Sequence, residues 1–304
     1  MATLPSPLSR VPLIVMIQEE VRLELPSISR PVLRRKLTYQ SDAGDRVPCY
    51  VMIPLDDNAS GRELRQRLPA VLCLQQATAV GKDEPAGIHG DPELKYAIQL
   101  AERGFVTLAP DYPSFGAHPF DLGKEHGDSS GSMKAISDNI RAIDLLETMP
   151  EVDDTRIGCI GHSPGGHNAI FTAVFEPRIK VIVSSCGFTS LVEDDMPSWT
   201  GPRYMPRIAS LFGNDVTQVP FDFHELIASL APRPFPACAA EHDDDFVVSG
   251  VRDVMQAASD VYRIYNAETV LQSVTAPVPH SFPQSSREQA YAFLRKHLAG
   301  SSSP

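Results

Sequence analysis

Residues 156–171, RIGCIGHSPGGHNAIF, change character at their midpoint. The apolar run that ends at Gly161 reads as a strand buried on both faces. PGGHNAIFTAVF (164–175) reads as the helix that follows it. Between the two, Gly161-His162-Ser163-Pro164-Gly165 matches G-x-S-x-G. A bare match to that pattern is common, but this one falls between a strand and a helix. There the small flanking residues let a strained serine lift its hydroxyl above the ends of the strands.

Outward from this turn, strand and helix signals alternate. Upstream come LRRKLTYQ and RVPCYVMIP around the turn SDAGD, then the buried run PAVLCLQQ (69–76). Asp91, Pro92 and Gly104 bracket a helix, FVTLAP is a strand, and a helix over about 131–149 repeats Met133, Ile136, Ile140, Ile143 and Leu146. Downstream, KVIVSSCG, RPFPACAAE and ETVLQSVTA read as strands. Helices are expected at about 248–264 and at the end of the chain, the last opened by a capping box from Ser285 to Glu288. This alternation predicts an α/β fold with a doubly wound, mostly parallel sheet. Residues 1–32 are expected as an N-terminal extension packed on a single domain, 33–304. A short cap-like insertion at about 187–231 carries no clean strand signal.

Composition narrows the function classes. The 304 residues carry a formal net charge of −11, with 42% hydrophobic and 21% charged residues. That balance suits a globular core and disfavours nucleic acid or an anionic membrane as the main partner. Five widely spaced cysteines read as free thiols of a reducing compartment rather than a disulfide framework. No run reaches the roughly 18 apolar residues of a membrane span, and the N-terminus lacks the features of a secretory signal, so the expected location is the cytoplasm.

A serine hydroxyl attacks only when a base takes its proton and a carboxylate orients that base. In folds built on this turn the order along the chain is serine, acid, histidine, each on a loop after a strand. His280 is the one histidine between ETVLQSVTA and the last helix. After RPFPACAAE stands His242-Asp243-Asp244-Asp245. Asp244 is the expected acid, because the loop at this place in hydrolases with such a turn usually runs Asp-x-x-Val, which Asp244-Asp245-Phe246-Val247 resembles; Asp243 is the alternative. Adjacent residues cannot all point at one ion, so this acidic run is not read as a metal site.

The segments LQQATAVGKDEPAGI, LAPDYPSFG, GHSPGGHNAIF, VVSSCGF, SWTGPRYMPRI, PFDFHELIASLAPRPF and HDDDFVVSGVR resemble the dienelactone-hydrolase and acetyl-xylan-esterase-like branch of the α/β-hydrolases over about residues 33–298. The resemblance implies a serine carboxylic-ester hydrolase for a small ester or lactone, without metal or organic cofactor. In dienelactone hydrolases proper the nucleophile is cysteine, so Ser163 places the chain on the esterase side. Two departures stand out. Relatives carry a histidine followed by Gln or Gly where this chain has Gln75-Gln76; the Gln76 N–H and the two amide side chains are the expected oxyanion donors. Pro164 follows the nucleophile and has no N–H to offer. That feature suggests an alternative, a non-hydrolytic relative such as a cyclase, isomerase or acyltransferase. Trp199, Tyr204, Met205, Phe212 and Phe223, with Tyr112 and Phe115, are candidate pocket residues, and Asp111 is expected to be structural.

Overall fold

The computed structural model describes residues 11–24, 30–42, 44–55, 66–121 and 130–298. Ten residues at the start of the expected extension, its stretch 25–29, and the terminal SSSP lie outside them. Among the described residues, nine strands form one sheet: β1 (Val15–Leu23), β2 (Val32–Gln40), β3 (Arg46–Pro54), β4 (Leu68–Leu74), β5 (Val106–Pro110), β6 (Val152–His162), β7 (Ile179–Ser185), β8 (Phe235–His242) and β9 (Leu271–Pro279). Their order across the sheet is β1-β2-β3-β5-β4-β6-β7-β8-β9. The first three strands and β5 pair antiparallel, and every pairing from β5 to β9 is parallel.

Side-chain alternation explains why helices cover both faces. In β4, Leu68, Ala70, Leu72 and Leu74 join one core, whereas Val71 and Cys73 join the other. The first core takes α2 (Gly131–Thr148), α3 (Pro164–Phe175), α6 (Phe223–Ala228) and α7 (Val248–Ile264); the second takes α1 (Tyr96–Glu102) and α8 (Gln284–Leu298). Each fully buried aliphatic side chain contributes about 1.5–3 kcal/mol, so a strand such as β4 is locked from both sides.

Three expectations need adjustment. The extension is more than a packed segment, because Val15–Leu23 forms the edge strand of the sheet, paired with β2 and bulged near Gln18. Asp91 does cap its turn by accepting the Glu93 N–H at 2.8 Å, but Pro92–Leu94 is a 3-10 turn and α1 starts only at Tyr96. Ser285 lies inside α8 rather than at its cap, because the helix starts at Gln284 and the Pro283 carbonyl accepts the N–H groups of Ser286 and Arg287. The insertion holds α4 (Met196–Trp199), α5 (Pro206–Phe212) and α6, and no strand among its described residues.

The chain leaves β4 through α1 to one neighbour, β5, and leaves β5 through α2 to the other, β6. Strand order therefore reverses around β4, and the crevice between the carboxyl ends of β4 and β6 is where such a sheet holds ligands. Gln75 and Gln76 follow β4 there, and Ser163 follows β6.

Candidate active site

Ser163 has φ +57° and ψ −128°, a backbone conformation rare for a residue with a side chain. Residues held this way store about 1–3 kcal/mol, which the surroundings must offset. Here the Ser163 N–H donates to the Ser185 carbonyl at 2.9 Å, and the Ser163 carbonyl accepts the His167 N–H at 3.1 Å. Close packing demands the glycines. A Cβ on Gly165 would lie 2.1 Å from the Leu74 carbonyl oxygen, and one on Gly161 would lie 2.2 Å from the Gly165 carbonyl. Pro164 occupies the first position of α3, where a missing N–H costs the helix nothing.

Ser163 and His280 meet above the strand ends, with Oγ 2.9 Å from Nε2. His280 Nδ1 lies 2.9 Å from each oxygen of Asp243. The structure thus brings Asp243, not the expected Asp244, to the histidine. Asp243 is 8% exposed, while Asp244 and Asp245 are exposed on the surface. The reason is local. The chain turns at the end of β8, and the Asp243 carboxylate accepts the N–H groups of Asp245 and Phe246, each at 3.0 Å. An Asx turn of this kind fixes its first residue inward and leaves Asp244 at the outer corner.

These contacts set the charges. Burial works against the Asp243 carboxylate, but the His280 hydrogen bond and the two backbone N–H groups outweigh it and hold the carboxyl below its ordinary range. Burial likewise disfavours a charged His280. The hydrogen bond and charge of Asp243, with smaller contributions from Asp245 and Asp244, overcome that and raise the imidazole above its ordinary value. His162 behaves oppositely: burial and the neighbouring His280 push it down to about 3, so it stays neutral.

Sequence reasoning missed several neighbours of His280. The His162 ring lies 5.0 Å from it between centroids, stacks on Phe282 at 6.1 Å, and binds Ser185 Oγ through Nδ1 at 3.0 Å. Phe246 stacks 5.9 Å from His280. Cys186 follows β7 with its sulfur 3.4 Å from the Ser281 carbonyl. Position was the available signal: His162 precedes Ser163, Cys186 follows the end of β7, and Phe246 lies in the acidic loop after β8.

The oxyanion expectations divide. The Gln76 side chain donates to Glu84 Oε1 at 3.1 Å. Gln75 is 3% exposed, both its amide atoms are buried without a hydrogen-bond partner among the described residues, and the residue lines a small cavity of about 10 Å³ with Tyr112, Asp138, Asn139 and Asn168. The Gln76 amide is therefore engaged by Glu84, and the Gln76 N–H and the unpartnered Gln75 amide stay the candidate oxyanion donors after β4. Among the pocket candidates, Trp199 packs 5.4 Å from Phe246 and 4.9 Å from Tyr204, continuing the aromatic wall away from His280. Met205 packs on the same cluster, and Tyr112 meets Tyr204 at 6.3 Å while its hydroxyl donates to the Arg203 carbonyl. Phe223 belongs to the core instead, against His167, Phe171 and Phe188. Asp111 is structural as expected: it accepts from the Lys82 N–H, the Lys82 ammonium and the Ala117 N–H.

Comparison with known proteins bears on the fold and the family. The chain is 26% identical over 216 residues to the putative hydrolase YtaP of Bacillus subtilis, covering 67% of this chain and 68% of that protein. A glucuronoyl esterase from Solibacter usitatus superposes with a TM-score of 0.71 at 16% identity, over 98% of this chain and 88% of its own. An acetyl xylan esterase from a Paenibacillus species gives 0.63 at 19% identity, over 95% and 90%. At such identities these two establish the shared fold, the α/β-hydrolase fold that the sequence resemblance implied. The profile of the prolyl oligopeptidase family matches residues 92–300, from the turn before α1 through α8 and so across all three residues of the Ser163 cluster, and this chain belongs to that family within the α/β-hydrolases.

Proposed function

We propose that this protein is a serine hydrolase of small carboxylic esters, acting through Ser163, His280 and Asp243. The observation that carries the reading is the continuous chain of 2.9 Å contacts from Ser163 Oγ through His280 to Asp243. Asp243 holds the proton of neutral His280 on Nδ1, so Nε2 presents a lone pair to the serine hydroxyl. Ser163 Oγ attacks the ester carbonyl as His280 takes its proton. His280 then protonates the departing alcohol and activates the water that releases the acid. The Gln76 N–H serves the developing oxyanion.

Pro164 argues for esters over peptide bonds. One oxyanion donor is worth about 2.7–4 kcal/mol, or 10²–10³ in rate. A site short of one donor is better matched to an ester, whose alcohol leaves easily, than to a resonance-stabilised amide. The names of the structural neighbours, a glucuronoyl esterase and an acetyl xylan esterase, support the same class. Pro164 also favours a second reading, in which the acyl-enzyme passes to an acceptor other than water. Five buried free thiols support a reducing, cytoplasmic location.

A fluorophosphonate probe tests the nucleophile. Mass spectrometry is expected to place the adduct on Ser163, and Ser163→Ala is expected to abolish both labelling and hydrolysis of p-nitrophenyl acetate without moving the thermal midpoint. Labelling elsewhere, or retained turnover in Ser163→Ala, overturns the assignment. Labelling without ester turnover selects the acyl-transfer reading.

A further inference from the structure

The third residue packed beneath the Asp243–His280 pair is a thiol. β7 ends at Ser185, and Cys186 turns out of the strand at φ +42° with its N–H bonded to the Cys238 carbonyl at 2.8 Å. This backbone aims the side chain under the neighbouring loop. Cys186 Sγ, an Asp243 carboxylate oxygen and a ring nitrogen of His280 all lie within 4.8 Å of one another, and Nδ1 is the nitrogen that faces Asp243, at 2.9 Å. Cys186 is 4% exposed and Asp243 8%, whereas the His280 side chain keeps 19% of its surface open, so His280 is the member of the cluster that solvent reaches most.

Sulfur, imidazole nitrogen and carboxylate oxygen together suit a borderline-soft cation. Tetrahedral zinc takes bonds of about 2.3 Å to sulfur and about 2.0–2.2 Å to nitrogen and oxygen, which places donor atoms roughly 3.3–3.6 Å apart. The sulfur needs to close by up to about an ångström, and the 2.9 Å contact between His280 and Asp243 needs to open by about 0.4 Å. A second cluster, Asp45, His118 and Asp138, has the same kinds of nitrogen and oxygen donors. It is already filled by the Lys134 ammonium, which bonds both of its carboxylates.

We propose that Cys186, Asp243 and His280 form an inhibitory site for a borderline-soft divalent cation, with zinc the best match, and that occupancy switches off the serine's base. In the metal-free site, Cys186 carries its proton, since burial pushes the thiol up, and neutral His280 carries its proton on Nδ1. When zinc binds, the S–H and Nδ1–H bonds break, bonds from zinc to sulfur, Nδ1 and the carboxylate form, and zinc sheds that many of its waters. Of the two protons released, one moves to Nε2 and one goes to solvent. The cluster changes from a buried charge of −1 to zero, because the cation's two positive charges balance the carboxylate and the new thiolate. The tautomer has reversed, so Nε2 now presents a hydrogen to Ser163 Oγ and has no lone pair with which to take its proton.

The inhibition rests on the triad reading above, but occupancy of the site does not, so two readouts separate them. Zinc is titrated against ester hydrolysis by the purified chain, its Cys186→Ser variant and its Cys186→Ala variant. Cobalt, as a spectroscopic stand-in, is titrated against the same three proteins. The expected result is inhibition of the unmodified chain, reversed by EDTA, with a half-inhibiting concentration raised at least about tenfold in both variants; even an outer-sphere partner of a metal is worth about 10–100-fold in affinity. A thiolate-to-cobalt charge-transfer band is expected only with Cys186 present. Equal inhibition of all three proteins, no inhibition of the unmodified chain, or a cobalt band that survives Cys186→Ala overturns the proposal. Should no ester be turned over, the cobalt band alone decides the site and the triad reading fails separately.

Discussion

Replacing Asp243 by asparagine removes one oxygen and one charge and leaves the size of the side chain intact. In the native site the carboxylate accepts from His280 Nδ1 and from the N–H groups of Asp245 and Phe246. An asparagine oxygen can keep the two backbone bonds, which turns its NH2 group toward Nδ1. Two donors then face each other, and the imidazole relieves the conflict by moving its proton to Nε2, the tautomer that cannot accept from Ser163. In the serine-protease triad the same exchange lowers kcat by about 10⁴, which corresponds to about 5.4 kcal/mol of barrier at 1.36 kcal/mol per factor of ten. A loss of that order is expected here for p-nitrophenyl acetate at equal active-site titre. Asp244→Asn touches only an exposed carboxylate whose charge is the smallest contribution to raising His280, so less than about a twofold change is expected, within the range of a screened surface charge. The pH profile adds a second sign. Hydrolysis needs neutral His280, so kcat/KM falls as pH drops through a pKa that Asp243 holds above the ordinary value. Without that charge the acid limb moves to lower pH while the plateau falls. If Asp244→Asn proves the more damaging exchange, or if Asp243→Asn leaves kcat within tenfold of the parent, the triad has been read from the wrong aspartate.

Pro164→Leu returns a backbone N–H beside the nucleophile and is expected to raise kcat toward the roughly 10²-fold value of one oxyanion donor; an unchanged or lower rate on p-nitrophenyl acetate and butyrate would show that the oxyanion is served elsewhere. Gly165→Ala drives a methyl group to 2.1 Å from the Leu74 carbonyl, so a stability loss of at least about 1–3 kcal/mol is expected in urea unfolding, together with lost activity as the elbow shifts. Excess EDTA followed by desalting is expected to leave ester hydrolysis intact, because the serine mechanism draws on no Lewis acid; loss restored by a divalent ion would contradict it.

The sheet and its helices were legible because their apolar residues recur at the periods that burial on two faces requires, and the nucleophile because its turn tolerates few residue types. His280 was legible from chain order alone. The acid was not, because three consecutive aspartates offer the same chemistry and only the direction of the turn after β8 distinguishes them. Asp243 was left open as the alternative, and the Asx turn to Asp245 and Phe246 selects it. Gln75 and Gln76 show the same boundary: their place after β4 was evident, but the burial of the Gln75 amide and the bond of the Gln76 amide to Glu84 depend on other segments of the chain. Val15–Leu23 formed a strand that its proline-flanked, partly charged sequence did not announce, since an edge strand exposed on both faces has little reason to alternate.

Gly165 rests on the carbonyls of Leu74 and Gln75 with no side chain between them. Ser163 and Gln76 are therefore carried on segments packed main chain against main chain, a ruler set by backbone contact and not by a side chain of Gly165. Around such a ruler the aromatic wall of Trp199, Tyr204 and Phe246 is free to change shape. On the reading proposed above, exchanging Trp199 or Tyr204 in the insertion between β7 and β8 would reshape the pocket without touching that backbone contact.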